Sequence, residues 1–334
     1  ILYSVLYMPT LSLTNSMAFA HLKNIDSEWP RVRVMGTFGW IAASWLFPMI
    51  WLQSNLEFQV LPPFFVGTEV ADATSRLGDT LKVSGIISIF YALYCMSLPN
   101  TPPNRAASER LAFMKAFSLL SKKSFAALVL ASLPIAIIHQ IYFMQTGPFL
   151  ENQLGLLVTY IAPAMTVGQF AEIAVMAILG MFIGRFGFRR TIAIGAFAYF
   201  ARYLIWGLIS LQEPSGPSVD VSGQFIWTVP LVIGIFSQLL HGVCYACFFA
   251  SAYMYVDKIA DDDIRNSAQT VFGIIILGLG PMLAAPLLGF LANIFGEAGV
   301  VTDFAGMWLS LAAIAFITSA VFFVAFTEEA ESSI

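Results

Sequence analysis

Residues 158–183 read VTYIAPAMTVGQFAEIAVMAILGMFI, an apolar run long enough to cross a bilayer, which takes about 20 residues. Near its middle lies Gln169-Phe170-Ala171-Glu172. Gln169 and Glu172 are three apart, so on a helix they share one face. An ionised carboxylate in hydrocarbon is costly, and an intramembrane Glu marks a functional site by default. The alternative is a Glu that faces a small polar gap between helices and is held there by a hydrogen bond. Either way the neighbouring helices must be arranged around that face.

The rest of the chain agrees with a membrane reading. Of 334 residues, 58% are hydrophobic and 11% charged, and the mean hydropathy is +0.80. A soluble domain carries roughly 25% charge. The apolar runs are long and continuous, not the short alternating segments of a β-barrel, so the fold class is an all-α polytopic helix bundle in a lipid bilayer. No basic face suggests nucleic acid as a partner. Cys95, Cys244 and Cys247 all lie in apolar runs. The pair Cys244 and Cys247 has no second pair to complete a zinc site, so these cysteines read as small buried apolar residues and no cofactor is implied. No Gly-rich phosphate loop ends in Lys-Ser or Lys-Thr, and no protease constellation appears.

The length rule yields about nine spans. They are Ile1–Leu22, Val34–Leu52, Leu81–Leu98, Phe125–Phe149, Val158–Ile183, Thr191–Leu211, Ile226–Val256, Val271–Phe295 and Ala305–Phe326. Lys and Arg collect in alternate loops: Lys23 and Arg31, then Arg105, Arg110, Lys115, Lys122 and Lys123, then Arg185, Arg189 and Arg190, then Lys258 and Arg265. That side is the cytoplasm by the positive-inside rule. Gln53–Asp79 and Gln212–Phe225 are therefore expected outside, and the C-terminus inside. Pro99–Lys123 is a basic linker with three spans before it and six after. Many transporters consist of two six-span halves, so the count suits such a protein without its first three spans, and the sequence reads as a fragment.

Polar residues within the spans mark candidate contacts. Arg33, Thr37 and Trp40 share one face of the second span. Arg33 either snorkels to headgroups or pairs with an ion or solute. Trp40 packs against a helix or stacks on a planar ligand. His139, Gln140, Tyr142, Phe143 and Gln145 fall in the fourth span. Gln140 suits a ligand rich in hydroxyls or amides, and equally a helix–helix hydrogen bond. His241 and Tyr245 are one turn apart in the seventh span. His241 is either a satisfied interhelical donor or, near Glu172, a group that moves a proton. Arg202 needs an acceptor or a short route to the interface. Gly and Pro punctuate the eighth span, which either bends as a gate or packs closely.

Five motifs recur in a familiar order: Tyr7-Met8-Pro9-Thr10-Leu11, Arg33-Val34-Met35-Gly36-Thr37-Phe38-Gly39, Gln169-Phe170-Ala171-Glu172, Asp257-Lys258 and Arg265-Asn266-Ser267-Ala268-Gln269. They resemble those of the nucleoside:proton symporter family, a branch of the major facilitator superfamily. The basic turn Gly184–Arg190 is similar to the loop between paired helices in that superfamily. The resemblance implies a rocking twelve-span transporter of the bacterial inner membrane that takes up nucleosides with protons. By that match residues 1–98 hold family spans four to six, 99–123 the cytoplasmic linker and 124–334 spans seven to twelve. The family's substrate contacts fall on Arg33, Thr37, Trp40, Gln140, Phe143, Gln169, Glu172, His241 and Tyr245, and also on Ala246. Three positions depart from the family pattern: Phe143 stands for an Asn, His241 for a Tyr and Ala246 for an acidic residue tied to transport. Proton coupling is then expected of Glu172, with His241 as its companion.

Overall fold

The computed structural model describes residues 6–7, 10, 14, 17–18, 21–22, 25–100, 119–220, 224–260 and 265–328, with backbone alone for most of 25–33 and for 265–267. The first expected span, Ile1–Leu22, and the start of the linker therefore lie largely outside the described residues. So do the side chains of Arg33, Asn266 and Ser267.

Helix α1 (Ile25–Phe47) widens at its end into a π turn, Pro48–Leu52. Pro48 has no N–H to donate to the α-helical ladder, so the turn opens there. A hairpin follows, β1 (Gln53–Phe58) antiparallel to β2 (Phe65–Glu69). The sequence marked this stretch as an outside loop and gave no sign of strands. After a short turn, α2 (Ala73–Arg76), comes α3 (Asp79–Cys95), which buries no residue against the rest of the chain. Helix α4 (Lys123–Pro148) ends in a second π turn, Phe149–Gln153.

Helix α5 (Val158–Ile209) is broken at Gly187, where φ is 74° and ψ 170°. An L side chain rarely adopts that conformation, and a Cβ there would lie 2.7 Å from Glu328 Oε1. The Arg189 amide donates to the same Glu328 oxygen at 2.7 Å, so a carboxylate sits at the start of the second arm, where helix amides lack partners. The arms fold back on each other. Gly168 on the first and Arg202 on the second both reach His241. In a straight helix they would stand roughly 50 Å apart.

Helices α6 (Val229–Phe236), α7 (Leu239–Val243) and α8 (Ser251–Ile259), with the π stretch Cys244–Ala250, form one apolar column. Helix α9 (Arg265–Gly273) passes through the π stretch Ile274–Leu279 into α10 (Gly280–Ile294). Pro281 interrupts the ladder there, in the span the sequence marked for bending or close packing. A two-residue hairpin, β3 (Gly296–Glu297) with β4 (Val300–Val301), leads into α11 (Phe304–Ala325). Asp303 caps α11 by accepting the Gly306 amide at 2.9 Å.

Among the described residues six helices are long and apolar enough to cross a membrane: Val34–Leu52, Lys123–Gln153, Val158–Ile209, Val229–Ile259, Ala268–Ile294 and Phe304–Ala325. The structure is thus mostly helical and polytopic, but the nine spans expected from sequence are not confirmed. Helix α3, with 17 residues, falls short of a span's length, and the two expected spans at 158–183 and 191–211 belong to one long, folded element. Two small hairpins qualify the all-α expectation. The core lies among α4, α5, α6–α8 and α11, and its largest fully buried side chains include Trp206, Trp308, Arg202, Tyr142, Tyr199 and Tyr203.

Candidate functional site

The first arm of α5 and helix α7 meet backbone to backbone. A Cβ on Gly242 would overlap the main chain of Ala171 and Glu172, and one on Gly168 would lie 3.0 Å from His241 Cβ. Only glycine at 242 permits this crossing. It sets the Gln169–Glu172 face beside His241, a proximity that spacing along the sequence could not reveal. Gln169 and Glu172 are both buried, and Gln169 Oε1 has no hydrogen-bond partner.

Arg202, on the second arm, is fully buried. Its acceptor is His241: Arg202 Nη1 and His241 Nδ1 are 2.9 Å apart. A guanidinium can only donate. His241 Nδ1 therefore accepts, which puts the ring proton on Nε2 and makes the imidazole neutral. Arg202 Nη2 donates to Tyr203 Oη at 3.2 Å, and Tyr203 Oη donates to the Ile138 carbonyl at 2.9 Å. Aromatic faces surround the cation, with Tyr142 4.0 Å, Tyr203 5.0 Å and Tyr199 5.3 Å from the guanidinium carbon. Desolvated contacts of this kind each stabilise a cation by about 2 kcal/mol. Arg202 Nε and Gln238 Nε2 are buried without partners.

An aromatic train runs outward from this cluster. His241 stacks on Tyr142 (5.1 Å) and His139 (5.6 Å), and Phe143 meets His241 edge-on at 6.0 Å. Trp40 of α1 meets Phe143 edge-on at 6.0 Å, and Tyr245 lies 6.4 Å from His139. Tyr142 donates to Gln238 Oε1 at 2.9 Å, and Tyr199 Oη and His139 Nδ1 are 2.8 Å apart.

Of the expected contacts, the structure brings Phe143, Trp40, His241 and Tyr245 into one aromatic chain and sets Glu172 at the Gly242 crossing. Thr37 is buried one turn before Trp40 on α1. Gln140 is half-buried on α4 beside His139. Arg33 lies outside the described side chains. Ala246 is fully buried and Cys244 and Cys247 are buried free thiols. Sequence reading noted His139, Tyr142 and Arg202 as polar residues within spans without placing them among the substrate contacts, and passed over Gln238. The signal available was a cation, a His and a Gln inside apolar runs.

A second set of contacts ties α1 and its hairpin to α5. Trp45 Nε1 donates to Thr166 Oγ1 at 3.0 Å. Glu69 Oε2 accepts from Thr159 Oγ1 (2.8 Å) and from the Thr159 amide (3.1 Å) at the start of α5.

A polar cluster buried among long apolar helices, lined by aromatic rings and reached by a separate helix, is the build of a membrane solute transporter. The chain belongs to the nucleoside H+ symporter family, whose model matches residues 1–331. It is 30% identical to YegT of Escherichia coli (strain K12), named for nucleoside transport, over 99% of this chain and 72% of that protein. It is 24% identical to the xanthosine permease of the same organism, over 96% of this chain and 71% of the permease. A crystal structure of a point mutant of the nucleoside transporter NupG superposes with a TM-score of 0.74 over 96% of this chain and 74% of its own, at 21% identity.

Proposed function

We propose that this chain forms the substrate site of a secondary transporter that takes up nucleosides, or related polar ring-bearing solutes, together with protons. The observation that carries the reading is the Gly242 crossing, which sets the buried Glu172 face against His241 at the end of the aromatic train from Trp40. Rings there suit a nucleobase and the buried polar groups suit its edges and the ribose. Thr37, Gln140, Gln169 and Glu172 supply polar contacts, with Arg33 on the same face of α1, while Trp40, Phe143 and Tyr245 supply stacking surfaces. Glu172 carries the coupled proton, as the one carboxylate buried at this crossing among the described residues. His241 is the weaker carrier, because Arg202 already occupies Nδ1.

The proposed setting is the bacterial inner membrane, with the Arg185–Arg190 turn and the C-terminus inside. Residues 1–98 and 124–334 then belong to two halves that rock about the site, joined by 99–123. The test is uptake of radiolabelled uridine and adenosine by cells expressing the full-length gene, with and without a protonophore. Accumulation that collapses with the protonophore is the expected result. No uptake of either by protein shown to be in the membrane would refute nucleosides as the solute and move the reading to other polar ring-bearing solutes.

A further inference from the structure

We propose that Arg202 fixes His241 as a one-way hydrogen-bond donor, and that this donor selects nucleosides whose base presents a ring carbonyl over those presenting an amino group. The inference rests on the nucleoside reading above and names the substrate class within it.

The chain of cause starts at Arg202. Its guanidinium donates to His241 Nδ1 at 2.9 Å. It is held in place by the Tyr203 hydroxyl at 3.2 Å and by the Tyr142, Tyr203 and Tyr199 faces. Arginine stays charged and cannot reverse the direction of that bond. The His241 proton therefore resides on Nε2. The two ring nitrogens lie on different edges of the imidazole, so the Nε2–H faces away from Arg202. The ring cannot turn to offer Nδ1 instead, because Tyr142 and His139 stack on it and Phe143 meets it edge-on.

A donor of fixed direction discriminates. Inosine and uridine carry a carbonyl oxygen where adenosine and cytidine carry an amino group. The carbonyl accepts from Nε2–H; the amino group would meet it donor to donor and leave both unpaired. The cation behind the ring polarises the N–H further, so an electron-rich or ionised base oxygen is the best partner of all. Arg202 is thus a positioning residue that acts through His241.

The test uses the full-length protein, purified into nanodiscs, with two matched pairs of ligands. Inosine and uridine should bind at least about tenfold more tightly than adenosine and cytidine. His241→Phe, which keeps a flat ring in the stack, should bring each pair to within about twofold by loss of oxo-base affinity. Arg202→Met should weaken the discrimination with His241 still present, and Arg202→Gln, which retains an N–H donor, should restore part of it. Because the Arg202 variants can fail to fold, nitrogen-15 spectra of histidine-labelled wild type provide a second readout. His241 should show a protonated Nε2 and an unprotonated Nδ1. Equal binding within the pairs, a preference that survives His241→Phe, or a protonated Nδ1 would overturn the inference while leaving nucleoside transport standing. Binding of no nucleoside at all by folded protein would remove the nucleoside reading and this inference with it.

Discussion

At the scale of single residues, Glu172 and Gly242 support separable expectations although they touch the same crossing. Glu172→Gln keeps the shape and hydrogen-bonding reach of the side chain but cannot release a proton. If Glu172 carries the coupled proton, the variant loses proton-driven accumulation by a factor of ten or more while still exchanging labelled for unlabelled nucleoside across a vesicle. Undiminished accumulation would remove Glu172 from the coupling step. Gly242→Leu acts through packing instead. Its side chain would have to enter the main chain of Ala171 and Glu172, which must move apart. Overpacking of this kind costs about 1–3 kcal/mol or more. A fall in melting temperature should accompany the loss of transport, whereas Glu172→Gln should melt near wild type. The sequence made Glu172 legible because one carboxylate stood inside an unbroken apolar run. It left the Arg202–His241 bond unreadable, since those partners are 39 residues apart on different helices and no period links them.

At the scale of elements, hydropathy located most helices to within a few residues because burial in lipid demands length. The departures have local causes. Strand pairing between Gln53–Phe58 and Phe65–Glu69 depends on a turn that apolar counting does not register. The π stretches depend on Pro48 and Pro281 and on tertiary fit around Cys244–Ala250. Gly187 was readable as a turn, but the positive φ and the Glu328 carboxylate above it were not. Gly187→Ala should cost about 1–3 kcal/mol from the backbone conformation alone, since positive φ with ψ near 180° is open essentially only to glycine. The added contact with Glu328 Oε1 should be partly relieved in Gly187→Ala/Glu328→Ala, which a melting comparison would show. A pH effect belongs to this scale as well. The hydrogen bond from Lys82, and then that from the Trp51 indole, hold the Asp79 carboxyl below its ordinary value of 3.8. A depressed carboxylate stabilises the fold above its unfolded value, and that contribution is lost as pH falls through the folded one. The Trp51–Asp79 link between α1 and α3 should therefore persist at neutral pH and open only below about 3.8. Fluorescence of a variant retaining Trp51 as its sole indole should shift in that acid range. Asp79→Asn should abolish the shift.

At the scale of the whole molecule, the hydrogen bonds from Trp45 of α1 and Glu69 of its hairpin to α5 share one location. Trp45 to Thr166 and Glu69 to Thr159 both fall on the half of α5 that starts at Val158, away from the Arg185–Arg190 turn. If that turn is cytoplasmic, these bridges close the outer side of the site. Glu69 carries the most weight, since its carboxylate takes both the amide and the hydroxyl of Thr159 at a helix start, where negative charge is favoured. Removing it should loosen the outer closure without touching the Arg202 cluster. Thr37, buried on α1 one turn beyond Trp40 as counted from the Trp45 bridge, is a natural reporter of access from the outer side. In a Cys95→Ser background, Thr37→Cys should react slowly with an impermeant maleimide added from outside. Adding Glu69→Ala should speed that reaction several-fold, because a hydrogen-bonded charge at such a position contributes roughly 1.5–3 kcal/mol. Adding Thr159→Val should have a smaller effect, since the amide remains to hold the carboxylate. An unchanged rate in Glu69→Ala would mean that the hairpin rides on α5 without holding the outer side shut, and the closure would then rest on Trp45 and on the Trp40–Phe143 contact.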